Sequence, residues 1–203
     1  MSGYSHLAGL GLACAGAVAL LVRTDHRGAT MTVPLVYAVC LVALYAASSA
    51  YHLLPSGETL RRRLRKLDHA AIFLMIAGTC TPVLWHALEG PTRTAMLCGT
   101  WLVAAVGIGF RMVWLGAPRW LYTVMYLAMG WMFVLLGPRG FLALPGVVVA
   151  LVVAGGLAYT TGAIVYALKR PNPFPSVFGF HEIWHLFVLG GSALHYAAIA
   201  ALG

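Results

Sequence analysis

The sequence predicts an all-α protein, a bundle of seven transmembrane helices. Of its 203 residues, 61% are hydrophobic and only 9% are charged, and the mean hydropathy is +0.87. A soluble core of this size would need a charged surface that five acidic and thirteen basic residues cannot supply. We therefore predict a multi-pass integral membrane protein that forms a single domain over residues 1–203.

Apolar stretches of about 20 residues, the length that crosses a bilayer as a helix, recur along the whole chain. The first stretch has no Lys or Arg before residue 23, so a spanning helix is favoured over a cleaved signal peptide. The fifth and sixth stretches are divided mainly by residues 137–140. The predicted spans are residues 4–22, 33–54, 67–88, 94–115, 119–137, 145–168 and 181–202.

The distribution of Lys and Arg between the connecting segments predicts the orientation. Nine bases lie in, or at the span ends beside, the connections between spans two and three, four and five, and six and seven; they are Arg61, Arg62, Arg63, Arg65, Lys66, Arg111, Arg119, Lys169 and Arg170. The opposite side carries four, Arg23, Arg27, Arg93 and Arg139. Because basic segments stay in the cytosol, we predict a cytoplasmic amino terminus and an outside carboxyl terminus.

The basic loop Arg61 to Lys66 is the densest charge cluster of the chain. It has no interleaved aromatic residues and connects two spans, so nucleic-acid binding is not predicted. Positive-inside topology explains it. Membrane lipids are the expected partners, with anionic headgroups at this loop contributing about 1 kcal/mol per base.

Four ionisable residues stand at the ends of apolar spans. His52 ends span two, Asp68 opens span three, and His181 and His185 open span seven. With the predicted topology all four lie in the same cytosolic layer, although the first and last are far apart in sequence. An ionisable side chain at membrane depth costs a few kcal/mol or more, so it normally marks a functional site.

The spacing of these residues favours a metal site. His181 and His185 lie four apart, which on a helix places both imidazoles on one face; Ser48 and His52 repeat that relation on span two. Three histidines leave the fourth position of a tetrahedral Zn²⁺ open for water, and Asp68 can accept the proton of that water. The alternative is that the histidines are interfacial hydrogen-bonding residues that hold helix ends together.

Three segments resemble the hemolysin III family. They are SSAYHLLP (residues 48–55), LDHAAIFLMIAGTCTP (67–82) and HEIWHLFVLGGSALHY (181–196). Their order and spacing match within a seven-span frame along the whole chain. The family belongs with the progestin and adipoQ receptors, which include the adiponectin receptors, and is distantly related to alkaline ceramidases.

The resemblance implies a seven-helix zinc protein with a cytosolic amino terminus and a zinc site in the cytosolic layer. The metal ligands would be His52, His181 and His185. Asp68 would hold the zinc-bound water or act as a base, and Ser48 would hydrogen-bond nearby or stabilise an oxyanion. The short termini suggest a minimal bacterial protein of the plasma membrane.

Four functions remain open at this point. We favour zinc-dependent hydrolysis of an amide or ester bond in a lipid that enters laterally from the bilayer. A membrane-lipid sensor or regulator with a structural zinc is a second possibility, and a pore-forming hemolysin is a third. The fourth is an intramembrane metalloprotease, because HEIWH (residues 181–185) also matches the HExxH pattern, with Glu182 as the general base.

Several other residues have more ordinary interpretations. His69 is expected to contact lipid headgroups, and His195, about 15 Å deeper than His185, to be a hydrogen-bonded core histidine. The glycines at positions 155, 156, 190 and 191 predict tight contacts between helices.

Overall fold

The computed structural model describes residues 2–23, 29–174 and 177–202; in these ranges helices are joined by short connections, and the sole β-type pairing is an isolated bridge between Phe174 and Phe178. Arg27, one of the bases counted above, lies outside the described residues. The helices are α1 (Ser2–Arg23), α2 (Ala29–Leu53), α3 (Glu58–Ala87), α4 (Gly90–Val113), α5 (Arg119–Gly130), α6 (Gly137–Leu142), α7 (Gly146–Leu168) and α8 (Phe180–Ala200).

Seven spans of membrane-crossing length and apolarity are present in the described part of the chain, which confirms the predicted fold class. The fifth span is not one continuous helix. After α5 the chain forms a 3₁₀ turn, Met132–Leu136, and then the short helix α6. Gly137 has φ +63°, a conformation that a residue without Cβ adopts at no steric cost, and Pro138 after it cannot donate a backbone hydrogen bond.

The third span differs from its prediction because α3 starts nine residues earlier, at Glu58. Arg, Leu and Lys are good helix formers, so the basic run has no reason to end the helix, whereas Pro55 and Gly57 before it do interrupt the chain. The predicted loop Arg61 to Lys66 is therefore wrong in its local structure. These bases lie on the first turns of α3, and most of their side chains are exposed.

Helix α3 is the central element of the bundle. It is the most buried of the seven spans and packs against α2, α4, α5 and α8. Helix α1 packs against both α2 and α8, and α7 lies along α8. This packing brings the carboxyl end of α2, the beginning of α8 and the part of α3 around Asp68 to the same end of the molecule.

Two of the four glycines named above pack as predicted. A Cβ atom on Gly191 would lie 2.8 Å from the Tyr159 ring, and one on Gly155 would overlap the His195 ring. At Gly156 the nearest side-chain atom would be at an ordinary 3.5 Å, and at Gly190 there is open space within 4 Å. The prediction of a tight contact is therefore wrong for Gly190, which faces away from the neighbouring helices.

Candidate metal centre

Three histidine side chains from two helices meet at one point. His52 lies in the last turn of α2, while His181 and His185 lie in the first two turns of α8. One ring nitrogen of each histidine lies within 4.8 Å of the corresponding nitrogens of the other two. The predicted convergence of residues more than 120 positions apart is thus present in the structure.

The donor set suits Zn²⁺. The Nε2 atoms of His181 and His185 are 3.2 Å apart, close to the roughly 3.3 Å that separates two nitrogens in a tetrahedral site with the usual Zn–N bond length. The ring of His52 lies 5.2 Å from that of His181 and 5.1 Å from that of His185, centroid to centroid. His185 is 2% exposed, so its imidazole is held by surrounding side chains.

Ser48 and Asp68 lie beside the three histidines but do not belong to the group of candidate metal ligands. Ser48 lies one turn before His52 on α2 and hydrogen-bonds with the carboxyl group of Asp68 on α3. Asp68 is outside the group of mutually close ligand atoms. Both side chains line the same cavity as the histidines. This position is compatible with holding a water rather than a metal.

His6 is a site residue that the sequence analysis missed. It lies on α1, is only 4% exposed, and its Nδ1 is 2.7 Å from the Ser48 hydroxyl oxygen. Its ring centroid is 3.6 Å from that of His185. The signal was available, because His6 opens span one at the end predicted to be cytosolic, which is the depth argument applied to His52.

A cavity of about 150 Å³ begins at the histidines and continues into the bundle. Its wall includes the polar groups of the site and then mainly apolar and aromatic side chains from α3, α5, α7 and α8. His195, about 15 Å further along α8 than His185, lies at its wall. The cavity therefore extends along α8 from the histidines towards the middle of the bundle.

His69 is not a headgroup contact, which corrects that expectation. It is 7% exposed, and the guanidinium of Arg111 donates to its Nδ1 at 2.9 Å. Arg111 itself is fully buried and also donates to the carbonyl oxygens of Trp114 and Leu115. Arg111 was counted among the bases at a cytosolic connection, whereas its buried side chain donates to the otherwise free carbonyl oxygens beyond the end of α4.

Glu182 and His195 have structural contacts. The Oε2 atom of Glu182 accepts the backbone N–H of Gly179 at 2.9 Å, which caps the start of α8, and Glu182 does not line the cavity. His195 Nε2 donates to the carbonyl oxygen of Val152 at 3.1 Å, as expected for a hydrogen-bonded core histidine.

Comparison with known proteins gives a match to the family described as "Haemolysin-III related", over residues 1–196. The chain belongs to this family. Haemolysin-III-related proteins similar to it include the Hemolysin-3 homolog of Bacillus subtilis (strain 168), 34% identical over 164 residues, which are 81% of this chain and 74% of that protein.

Two further relatives cover most of both chains. Hemolysin-3 of Bacillus cereus is 34% identical over 199 residues, 96% of this chain and 87% of that protein. The Heptahelical transmembrane protein ADIPOR2 of Oryza sativa subsp. japonica is 30% identical over 187 residues, 83% of this chain and 80% of that protein. The resemblance inferred from the three motifs is confirmed. This haemolysin-III-related chain is a multi-pass integral membrane protein, and its bacterial relatives support the predicted bacterial plasma membrane.

Proposed function

We propose that this haemolysin-III-related protein is a zinc-dependent hydrolase that cleaves an amide or ester bond of a membrane lipid. The observation that carries the proposal is the position of the three imidazoles of His52, His181 and His185 at the head of a cavity that also contains Asp68 and Ser48. Three imidazoles leave one position of the metal open, the arrangement of catalytic rather than structural zinc.

Zinc bound there would polarise the lipid carbonyl and generate hydroxide from a water molecule near neutral pH. The residues of the chain have separate tasks. Asp68 accepts a proton at a carboxylate oxygen and holds the attacking water in place. The Ser48 hydroxyl donates to that carboxylate and so fixes its direction. Since a carboxylate only accepts, Ser48 in turn accepts the N–H of His6 Nδ1.

The lipid would reach this site sideways from the bilayer, with its acyl chain in the cavity between α3, α5, α7 and α8. The basic first turns of α3 lie at the same end of the molecule as the histidines, where Arg and Lys side chains would attract anionic headgroups. We place this end in the cytosolic layer on the basis of the Lys and Arg distribution.

The experiment has two readouts on the purified protein. Zinc content is measured for the wild type, His181→Ala and His185→Ala, with His86→Ala as the control because His86 lies near the opposite end of α3. We expect about one zinc per wild-type and control chain and strongly reduced metal in the two ligand variants. Equally low metal in all four proteins would refute the site.

Turnover is then followed by mass spectrometry of lipids incubated with wild type and Asp68→Asn. The hydrolase proposal expects Asp68→Asn to retain zinc and to lose at least about a hundredfold in rate, the lower range for a general base. Unchanged lipids in a zinc-loaded wild type would contradict hydrolysis and favour the alternative of a lipid sensor with structural zinc. The name of the hemolysin relatives raises pore formation, which dye release from liposomes tests directly.

A further inference from the structure

A second polar cluster lies beside the metal centre and is built around His69. The ring of His69 stands edge-on to the Tyr122 ring, 5.3 Å between centroids, and the Tyr126 hydroxyl donates to the His69 carbonyl oxygen at 3.2 Å. The guanidinium carbon of Arg111 lies 4.3 Å from the centroid of the Tyr122 ring, and the same guanidinium donates to His69 Nδ1. These contacts fix both the position and the rotation of the imidazole.

The hydrogen bond from Arg111 also decides which ring nitrogen carries the proton. A guanidinium has only N–H donors and stays protonated in proteins, so the Nδ1 atom 2.9 Å away must accept. The Tyr126 hydroxyl, 3.5 Å from the same nitrogen, is a second group on that side. A neutral imidazole that accepts at Nδ1 carries its proton at Nε2. His69 is therefore a hydrogen-bond donor at Nε2.

This donor has no partner among the described residues. The hydrogen bonds of His69 involve Nδ1 and the backbone carbonyl oxygen, and none involves Nε2. His69 Nε2 is also absent from the polar atoms that are both unpaired and fully enclosed, so a small molecule can reach it. The ring lines the cavity that starts at the three metal-site histidines. An N–H group held rigidly at the wall of a cavity inside the bundle loses free energy unless an acceptor reaches it.

We propose that the Nε2–H of His69 binds an oxygen acceptor of the lipid inside the cavity, an uncharged carbonyl oxygen, and that Arg111 holds His69 in the donor tautomer. The proposal builds on the lipid substrate of the preceding subsection and names the group that the cavity recognises. His69 contacts the ligand, and Arg111 is a positioning residue that acts through the ring. Because Arg111 is buried, its charge stays directed at Nδ1 rather than at solvent.

Binding is tested without turnover, on chelator-treated protein in detergent micelles. The probes are a long-chain methyl ketone, which has a carbonyl that cannot be hydrolysed, and the alkane of equal length. Tryptophan fluorescence reports binding, since Trp131 and Trp184 line the cavity. In wild type we expect the ketone to bind about fivefold more tightly than the alkane, the value of one neutral hydrogen bond.

Substitutions at position 69 then separate the donor from the ring. His69→Phe keeps a ring but has no N–H, so the ratio of the two affinities should fall to about one; His69→Gln keeps an amide donor and should retain part of the preference. His86→Phe is the control, since its ring lies near the far end of α3 and hydrogen-bonds with the Pro82 carbonyl. An unchanged ratio in folded His69→Phe overturns the proposal.

The tautomer gives an independent measurement in the unmodified protein. In ¹⁵N NMR of histidine-labelled protein, with His69 identified by the signal lost in His69→Gln, the proton should be found on Nε2. A proton on Nδ1 would overturn the proposal even if His69→Phe fails to fold. Loss of lipid hydrolysis alone does not affect either result, and a failed ketone preference leaves zinc-dependent turnover untouched, so the two proposals fail separately.

Discussion

His6 connects α1 to the metal centre through two contacts of different kinds. Its Nδ1 lies 2.7 Å from the Ser48 hydroxyl oxygen, and its ring centroid lies 3.6 Å from that of His185, with the two ring planes inclined at 31°. The Tyr45 ring stands edge-on to the His6 ring, 5.2 Å between centroids, so the imidazole is packed on two sides. His6 is not in the group of close ligand atoms, so it supports a ligand rather than acting as one. Groups of this kind orient metal ligands and tune their affinity.

Replacing His6 tests that role. His6→Ala should retain the ability to bind zinc but with an affinity about tenfold weaker, because His185 loses the ring packed against it and Ser48 loses its donor. His6→Asn, whose amide N–H can reach Ser48, should recover part of the loss. Competition with a chromophoric chelator measures the dissociation constants. His86→Ala serves as the control, and an affinity for His6→Ala equal to that of the control would contradict the role.

Among single residues, those that share a helical spacing or stand at the end of an apolar span could be predicted from the sequence, and those defined by contacts between distant helices could not. His52, His181 and His185 were found because an i, i+4 pair and three ends of apolar spans can be read from one chain. His69 was misassigned because its partner, Arg111, is 42 positions away on another helix, and no local spacing encodes that contact. The pairing arises only when α4 packs on α3.

The start of α8 depends on a side-chain cap at its first turn. The Glu182 carboxylate accepts the backbone N–H of Gly179, one of the donors that a helix beginning leaves without a partner. The same turn carries His181, so the cap also steadies one of the three candidate metal ligands. Glu182 thus has a structural task that the HExxH pattern would have assigned to chemistry.

Two substitutions at Glu182 separate these tasks. Glu182→Gln keeps an oxygen acceptor and should leave zinc content and lipid turnover close to those of the wild type. Glu182→Ala removes the cap and should lower stability by about 1 kcal/mol, the usual value for such a contact. Thermal unfolding in detergent and zinc analysis measure both effects. If Glu182→Gln binds zinc but is inactive while Asp68→Asn remains active, the metalloprotease alternative gains support.

The contact of α7 with α8 is tested by two adjacent glycines. A Cβ at Gly191 would lie 2.8 Å from the Tyr159 ring, which is itself hydrogen-bonded to Ser192 at 2.7 Å and has little freedom to move. Gly191→Ala should therefore destabilise the protein by roughly 1–3 kcal/mol. Gly190→Ala meets nothing within 4 Å and should be neutral or slightly stabilising. Equal melting temperatures for the two variants would contradict this packing.

Hydropathy predicted every span to within a few residues except where helix propensity or local geometry overrode it. The basic run was assigned to a loop because charge was taken to end a membrane helix, yet α3 continues outward to Glu58 since nothing in Arg61 to Lys66 breaks a helix. The break after Gly130 in span five is a backbone feature that average hydropathy does not register.

The candidate metal centre joins α2 and α8, two helices whose backbones are not close neighbours in the bundle. Helix α2 packs mainly on α1 and α3, and α8 mainly on α7 and α1, so α2 and α8 share few close backbone neighbours. Side chains of the apolar core, among them Tyr45 and Val188, meet between the two helices, and His52 meets His181 and His185 at one end of this contact. A metal bound by all three would therefore act as a cross-link between the two halves of the bundle.

Removal of zinc should accordingly lower the stability of the whole protein. At free zinc about a hundred times the dissociation constant, the linkage relation gives about 2.7 kcal/mol of stabilisation, which a chelator would remove. Differential scanning fluorimetry of wild type with and without chelator should show a clear drop in the melting temperature. His185→Ala should melt at the same temperature in both conditions. A wild-type melting temperature that does not respond to chelator would contradict the cross-link.

The orientation of the molecule decides which compartment the histidines face, and a charge count of nine against four predicts that they face the cytosol. Two exposed positions report it without altering that count: Gly57, between α2 and α3, and Thr92, in the first turn of α4. In a background whose four cysteines are replaced by alanine, Thr92→Cys should react with a membrane-impermeant maleimide on intact cells. Gly57→Cys should react only after permeabilisation. As a control for accessibility, each cysteine variant must react with the maleimide once the membrane is dissolved in detergent. The reverse pattern would place the candidate metal centre on the outer side of the membrane. Zinc would then be supplied from outside, lipid would enter from the outer leaflet, and the bases of α3 would meet the headgroups of that leaflet.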